Sequence, residues 1–230
     1  MNFLSKLKKP AGPPGGEASN FALIAEIKLK SPIEGNLGII SDAAEIAKQY
    51  EEGGADALSV VTEEKLFGGN LKLIQRVKNV CKLPVLCKDF VTVERQLEKI
   101  AEAGADAVLL LARLLNDRQL KSFSQTAGKL KMLPVIEADN LEDLKRLIAG
   151  KYRVLAVNAR NLDDFSVDRE RACRLLKMIP EDRIKLAFSG VLNNQDIKKY
   201  LNCGANGVLI GTALMRSANR SELIKEFKNL

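Results

Sequence analysis

The chain has no histidine among its 230 residues. That absence argues against a His-containing zinc site, a Ser-His-Asp triad and any imidazole proton relay. Acid and base chemistry then falls to Lys, Glu, Asp, Tyr or Cys. Tryptophan is also missing, and aromatics make up 5%. Long apolar runs are absent as well. The longest read like "AVLLLA" at residues 107–112, far short of the about 20 residues of a membrane span, so no membrane insertion is expected. The four cysteines, Cys81, Cys87, Cys173 and Cys203, form no C-x-x-C pair and each lies in or beside an apolar segment. They read as reduced, buried small hydrophobes rather than disulfides or metal ligands.

What is present fits a soluble globular protein: 46% hydrophobic residues, 28% charged, net charge +7. Such a surplus raises the question of nucleic acid. The basic residues, however, lie beside acidic ones on predicted helices ("RQLEKIAEA", "LEDLKRL") and are not clustered with aromatics. A solvated surface biased toward an anionic small molecule is expected, with no nucleic acid bound. The first residues, "MNFLSKLKKPAGPPGGEASN", have no apolar core or small-residue cleavage site and do not read as a secretory signal, so the cytoplasm is the expected location. A short amphipathic helix over Phe3 to Lys9 precedes the connector-like "PAGPPGGEAS". Residues 1–20 are thus set apart as an extension from a single domain over 21–230.

Three stretches echo one another: "GGADALSVVT" from Gly53, "AGADAVLLLA" from Ala103 and "CGANGVLIGT" from Cys203. Each ends an amphipathic helical pattern at glycine and opens a β-rich apolar run. The same alternation along the chain gives eight strands, near 22–28, 56–61, 84–88, 106–111, 133–137, 153–158, 184–188 and 206–210. Helices are predicted near 42–52, 70–80, 93–103, 116–128, 140–149, 168–177, 193–202 and 220–229. Eight strands alternating with eight helices point to an α/β fold, a (β/α)8 TIM barrel. An open doubly wound sheet is the alternative, but "KLKSPIEG" after the first strand is no G-x-G-x-x-G turn.

A barrel of this kind carries its chemistry at the C-terminal ends of its strands. Polar residues gather there: Glu26 and Lys28 on strand one, Lys88 and Asp89 on three, Glu137 on five, Asn158 and Arg160 on six. Ser189-Gly190 and Gly211-Thr212 end strands seven and eight, where backbone N–H groups and a helix N-terminus commonly bind phosphate. Glu26 and Lys28 share one face because side chains i and i+2 of a strand point the same way. Lysines in such a mouth serve as general acids, as clamps for anions, or as Schiff-base nucleophiles, and Glu137 is a partner base.

"IAEIKLKSP", "GGADALSVVTEEKLFGG", "LPVLCKDF", "GADAVLLL", "NARNL" and "GVLIGTALMR" together resemble the indole-3-glycerol phosphate synthase family, collinearly from about Leu23 to Met215. The resemblance implies a barrel enzyme of tryptophan biosynthesis that needs no metal or cofactor. It would be a carboxy-lyase that closes the pyrrole ring of 1-(2-carboxyphenylamino)-1-deoxyribulose 5-phosphate with loss of carbon dioxide and water. By motif position, Lys88 resembles the general acid for ring closure and Glu137 the acid/base of the dehydration. Lys28 would contact the substrate carboxylate, Glu26 would hold Lys28, and Asn158 would hydrogen-bond the reacting chain. Ser31, Arg160, Ser189, Gly190, Gly211 and Thr212 fall on phosphate-side positions, and Phe67 and Phe90 look like walls for the aromatic ring.

The departures from the family pattern are specific. Phe188 stands where a Glu usually precedes Ser-Gly, Ala159 replaces a second Asn, and "IEADN" stands for "VEVHD". The segment ahead of "EIK" is shorter than usual. A Schiff-base aldolase and a non-catalytic barrel that only binds a phosphorylated ligand therefore stay open as alternatives. A monomer is expected.

Overall fold

The computed structural model describes residues 3–7 and 21–230. The Pro/Gly-rich connector lies outside the described residues. Eight parallel strands close into a barrel: β1 (Ala22–Ile27), β4 (Ala57–Val61), β5 (Val85–Lys88), β6 (Ala107–Leu111), β7 (Leu133–Ala138), β8 (Val154–Asn158), β9 (Ile184–Phe188) and β10 (Gly207–Ile210), with β10 pairing back onto β1. Helices α2 (Ala43–Glu52), α3 (Lys72–Lys78), α4 (Arg95–Glu102), α5 (Asp117–Lys129), α6 (Leu141–Ala149), α7 (Arg169–Met178) and α8 (Asn194–Asn202) connect successive strands. After β10 come the short α9 (Thr212–Arg216) and α10 (Arg220–Lys228). The expected barrel and its order of elements are observed.

Two features were not expected. The β1–α2 connection folds into a hairpin of β2 (Lys30–Ser31) and β3 (Gly35–Asn36), turned at Gly35 with φ +68°. Single 3-10 turns cover Ile40–Asp42 and Ala112–Leu114.

Strand alternation sorts the core into two shells. Ala22, Ile24, Leu86, Leu109, Val135, Ala156, Leu186 and Leu209 point into the barrel, while Leu23, Ala25, Leu58, Val60, Val108 and Val157 pack outward under the helices. Phe3 and Leu7 of α1 (Phe3–Leu7) are fully buried in the inner cluster.

The repeated Gly-Ala-Asp/Asn signature has a physical cause. Gly54, Gly104 and Gly204 have φ of +88°, +91° and +88°, the left-handed conformation that ends a helix at little steric cost. The N–H of the next alanine closes each turn: Ala55 donates to Tyr50 O, Ala105 to Ile100 O and Ala205 to Tyr200 O. The third residue then joins two strands. Asp56 accepts from Leu23 N at 2.9 Å, Asp106 from Val85 N at 2.8 Å and Asn206 from Lys185 N at 2.8 Å. Three copies of one short motif stitch the N-terminal end of the barrel.

Candidate active site

At the opposite end, alternation turns charged residues inward. Glu26 follows Ala22 and Ile24 on the inner face of β1 and is 4% exposed. Lys28 Nζ lies 3.3 Å from its Oε1, and Lys88 Nζ, from β5, lies 3.7 Å from its Oε2. Lys28 also donates to Thr212 Oγ1 at 3.5 Å. Burial opposes the charged carboxylate, but the Lys88 and Lys28 ammoniums outweigh it and hold the Glu26 carboxyl below its ordinary range. Space for this group comes from Gly211, where a Cβ would stand 2.5 Å from Glu26 Oε1.

Glu137, on β7, is buried by the same alternation and behaves in the opposite way. Burial pushes its carboxyl up; Lys88 and the hydrogen bond from Asn158 offset this only in part, and the charges of Asp139 and Glu26 add to it. Asn158 Nδ2 donates to Glu137 Oε1 at 2.9 Å, and its Oδ1 accepts from Arg160 N at 3.0 Å. One carboxylate is therefore held ionised while the other favours its proton, an arrangement suited to proton transfer. Three buried polar atoms here have no hydrogen-bond partner among the described residues: Glu26 Oε2, Glu137 Oε2 and Ser59 Oγ. Ser59 stands opposite Glu26 in the strand register.

Two recesses flank these groups. Lys88 and Glu137 line a slot of about 30 Å³ together with Phe67, Phe90, Leu109, Leu111 and Leu162. The two phenyl rings meet edge to face with centroids 6.4 Å apart. On the other side a cleft of about 310 Å³ is lined by Lys28, Arg160, Ser189, Gly190, Gly211 and Thr212. Ser189 and Gly190 have φ of +67° and +79°, which shapes the turn beneath it.

Of the sequence-predicted residues, Glu26, Lys28, Lys88, Glu137 and Asn158 meet at one place, Phe67 and Phe90 at the slot, and the phosphate-side residues at the cleft, with one exception. Ser31 does not line the cleft; its Oγ accepts from the N–H groups of Ile33 and Glu34, both at 3.3 Å, inside its own turn. Phe188 is 1% exposed and joins the inner cluster opposite Asn158, so an apolar ring fills that part of the mouth. Sequence reasoning did not single out Leu109, Leu111 and Leu162, which line the slot, or Arg169 and Glu34, which line the cleft. Arg169 donates to Gly190 O and pairs with Asp196 at 3.0 Å, while Glu34 pairs with Arg216.

Fold and site define a (β/α)8 barrel with a lysine–glutamate centre set between an apolar slot and a basic cleft. Two solved structures of 3-hexulose-6-phosphate synthase share the fold. One has a TM-score of 0.70 at 20% identity and covers 90% of this chain and 98% of that one; the other, from Salmonella typhimurium, has a TM-score of 0.73 at 16% and covers 90% and 96%. A family model described as "Indole-3-glycerol phosphate synthase" matches residues 10–227. The indole-3-glycerol phosphate synthase of Sulfurisphaera tokodaii is 40% identical over 204 residues, covering 88% of this chain and 82% of that protein. The one from Arthrobacter sp. (strain FB24) is 39% identical over 216 residues, covering 93% and 79%. The chain belongs to the indole-3-glycerol phosphate synthase family and, with it, to the carboxy-lyases of tryptophan biosynthesis. The likeness extends to a multifunctional tryptophan biosynthesis protein of Phycomyces blakesleeanus, 38% identical over 213 residues, 90% of this chain and 28% of that protein. Among the described residues no helix is long and apolar enough to cross a membrane.

Proposed function

We propose that the Lys88 ammonium is the general acid of ring closure and that the groups around it divide the remaining work on 1-(2-carboxyphenylamino)-1-deoxyribulose 5-phosphate. The aromatic ring enters the slot between Phe67 and Phe90, and the phosphate takes the cleft at Ser189, Gly190, Gly211, Thr212 and Arg160. The slot is narrow, so the two phenyl rings separate to admit the substrate. This pose puts the ketone between the two recesses, where Lys88 lies. Lys88 gives a proton to the ketone oxygen as the ring carbon bearing the carboxylate attacks the carbonyl carbon. Carbon dioxide leaves, the ring regains aromaticity, and the former ketone carries a hydroxyl. In the dehydration Glu137 serves as acid/base: water departs with that hydroxyl, a proton leaves the neighbouring methylene carbon, and the pyrrole double bond forms.

Lys28 contacts the substrate carboxylate until it is lost, Glu26 orients both lysines, and Asn158 orients Glu137. The observation that carries this reading is the position of Lys88, which lines the same slot as Glu137 and stands 3.7 Å from Glu26. A general acid so placed contributes about 10²–10⁴ in rate.

The test is to add the substrate and follow the appearance of indole fluorescence. Turnover is expected; no signal at high enzyme concentration overturns the reading. Phe188 supplies a sharper check, because the family resemblance places a carboxylate there. Phe188→Glu should raise turnover by about tenfold and lower thermal stability, since the added charge is buried among apolar side chains. A fall or no change in turnover would mean that the site is built around the phenyl ring.

A further inference from the structure

One guanidinium ties together the loops that follow β6, β7 and β8. Arg113, in the turn Ala112–Leu114, donates to Asp139 Oδ2 at 3.3 Å and to Asp163 Oδ1 at 2.6 Å. Asp139 is buried and lies two residues beyond Glu137. Asp163 is in the β8–α7 segment and follows Leu162, which closes one side of the aromatic slot. The turn that carries Arg113 is itself braced: Arg146 donates to the carbonyls of Ala112 at 3.2 Å and Leu115 at 2.8 Å, and to Asp143 at 2.7 Å. Asn140 joins the two halves, donating to Asp139 Oδ1 at 2.8 Å and to Asp143 Oδ2 at 2.9 Å.

We propose that Arg113 is a positioning residue for the ring-forming reaction, with two separable effects. Through Asp139 it offsets part of the charge of the carboxylate next to Glu137 on the same strand end. Through Asp163 it holds the β8–α7 segment so that Leu162 stays against the substrate's aromatic ring. The inference rests on the reading of Glu137 as the acid/base group. The charged and polar groups that face Glu137 are Lys88 from β5, Glu26 from β1, Asn158 from β8 and Asp139 from its own strand. Arg113 acts only on the last of these. As a contribution to folding the Asp163 contact is small, because Asp163 is 74% exposed and such pairs are screened by water.

The two effects have different signatures. Arg113→Met leaves the Asp139 carboxylate without its cation, with only the Asn140 amide as partner, which favours the protonated form of Glu137. The limb of the kcat profile that belongs to Glu137 should move to higher pH by about one unit. In Arg113→Met/Asp139→Asn the charge is gone with its partner, and the upward shift should vanish. The limb should then lie at or slightly below its original position, because Asp139 raises Glu137 in the parent. Asp163→Asn should leave the limb in place and raise KM by about fivefold, the most expected of a pair with one exposed member. Arg113→Lys keeps the charge but not the fork, so it should keep the limb and raise KM, and it serves if Arg113→Met does not fold. Thermal unfolding followed by circular dichroism checks that each variant is folded.

A limb that does not move in Arg113→Met, one that stays raised after the second substitution, or an unchanged KM in Asp163→Asn overturns the inference. Glu137→Gln separates this failure from that of the underlying reading. If that variant keeps the limb, Glu137 was misassigned; if it loses the limb and Arg113→Met does not shift it, only the role of Arg113 falls.

Discussion

The two ends of the barrel treat their polar groups in opposite ways. At the N-terminal ends of the strands two of the three stitches are doubly used: Asp56 takes Leu23 N and Lys228 Nζ, and Asp106 takes Val85 N and Lys78 Nζ, all at 2.8–2.9 Å. At the C-terminal ends Glu26, Glu137 and Ser59 each keep a buried oxygen without a hydrogen bond among the described residues. A buried polar atom without a partner costs free energy. The same backbone alternation builds both ends, so the difference lies in what each end is for. One end holds strands together, and the other gathers Glu26, Glu137 and Ser59 around the proposed reaction site.

That division predicts that stability and activity can be damaged separately. The largest effect is expected from Lys88→Met, which keeps most of the side-chain volume and removes the proposed general acid. Turnover should fall by about 10³ or more, while the thermal midpoint stays within a few degrees. Asp106→Ala is the counterpart at the other end. It leaves Val85 N–H without its side-chain acceptor and Lys78 without its partner, a loss of about 1–3 kcal/mol, or a midpoint lower by about 5 °C for a chain of this size. The turnover of the folded fraction should be unchanged. A large fall in stability for Lys88→Met, or in turnover for Asp106→Ala, would mean that the two ends are not separate.

How much of this was legible in the sequence follows from the range of each interaction. The barrel was readable because strand alternation and the Gly-Ala-Asp endings are local, and Gly54, Gly104 and Gly204 carry the same left-handed turn. Glu26, Lys28, Lys88, Glu137 and Asn158 stood out as polar residues ending apolar runs. Leu109, Leu111 and Leu162 did not, since a leucine lining a slot has the same pattern as one in the core. Arg113, Arg169 and Glu34 do not stand out in the sequence because their partners are distant along the chain, as Arg113 is from Asp163, 50 residues on. The β2–β3 hairpin has two-residue strands, too short to show a period. Ser31 falls on a phosphate-side position by family resemblance; in the structure its Oγ accepts from the N–H groups of the turn that follows it.

The smallest expected effect concerns Glu137 and pH, and it sets the two carboxylates of the mouth against each other. Glu137 is raised above its ordinary value of 4.5 by burial, so the folded chain keeps a proton that the unfolded chain has lost. Its contribution to stability is complete below about pH 4.5 and declines as pH rises through the raised value. Glu26 is lowered from the same starting point because the pull of Lys88 and Lys28 exceeds the effect of burial. Its contribution is present above about pH 4.5 and is lost as pH falls through the lowered value. Glu137→Gln removes only the first dependence. The variant and the parent should therefore unfold at the same temperature near about pH 4 and diverge as pH rises, with the variant more stable by about 2–4 °C near about pH 8. Glu26→Gln should do the reverse, less stable at neutral pH and converging with the parent in acid, because it leaves two ammoniums without a counter-charge. If the midpoints of parent and Glu137→Gln run parallel across that range, the carboxyl of Glu137 is not held above its ordinary value. The mouth would then lack the pair of oppositely tuned carboxylates that distinguishes it from the stitched end.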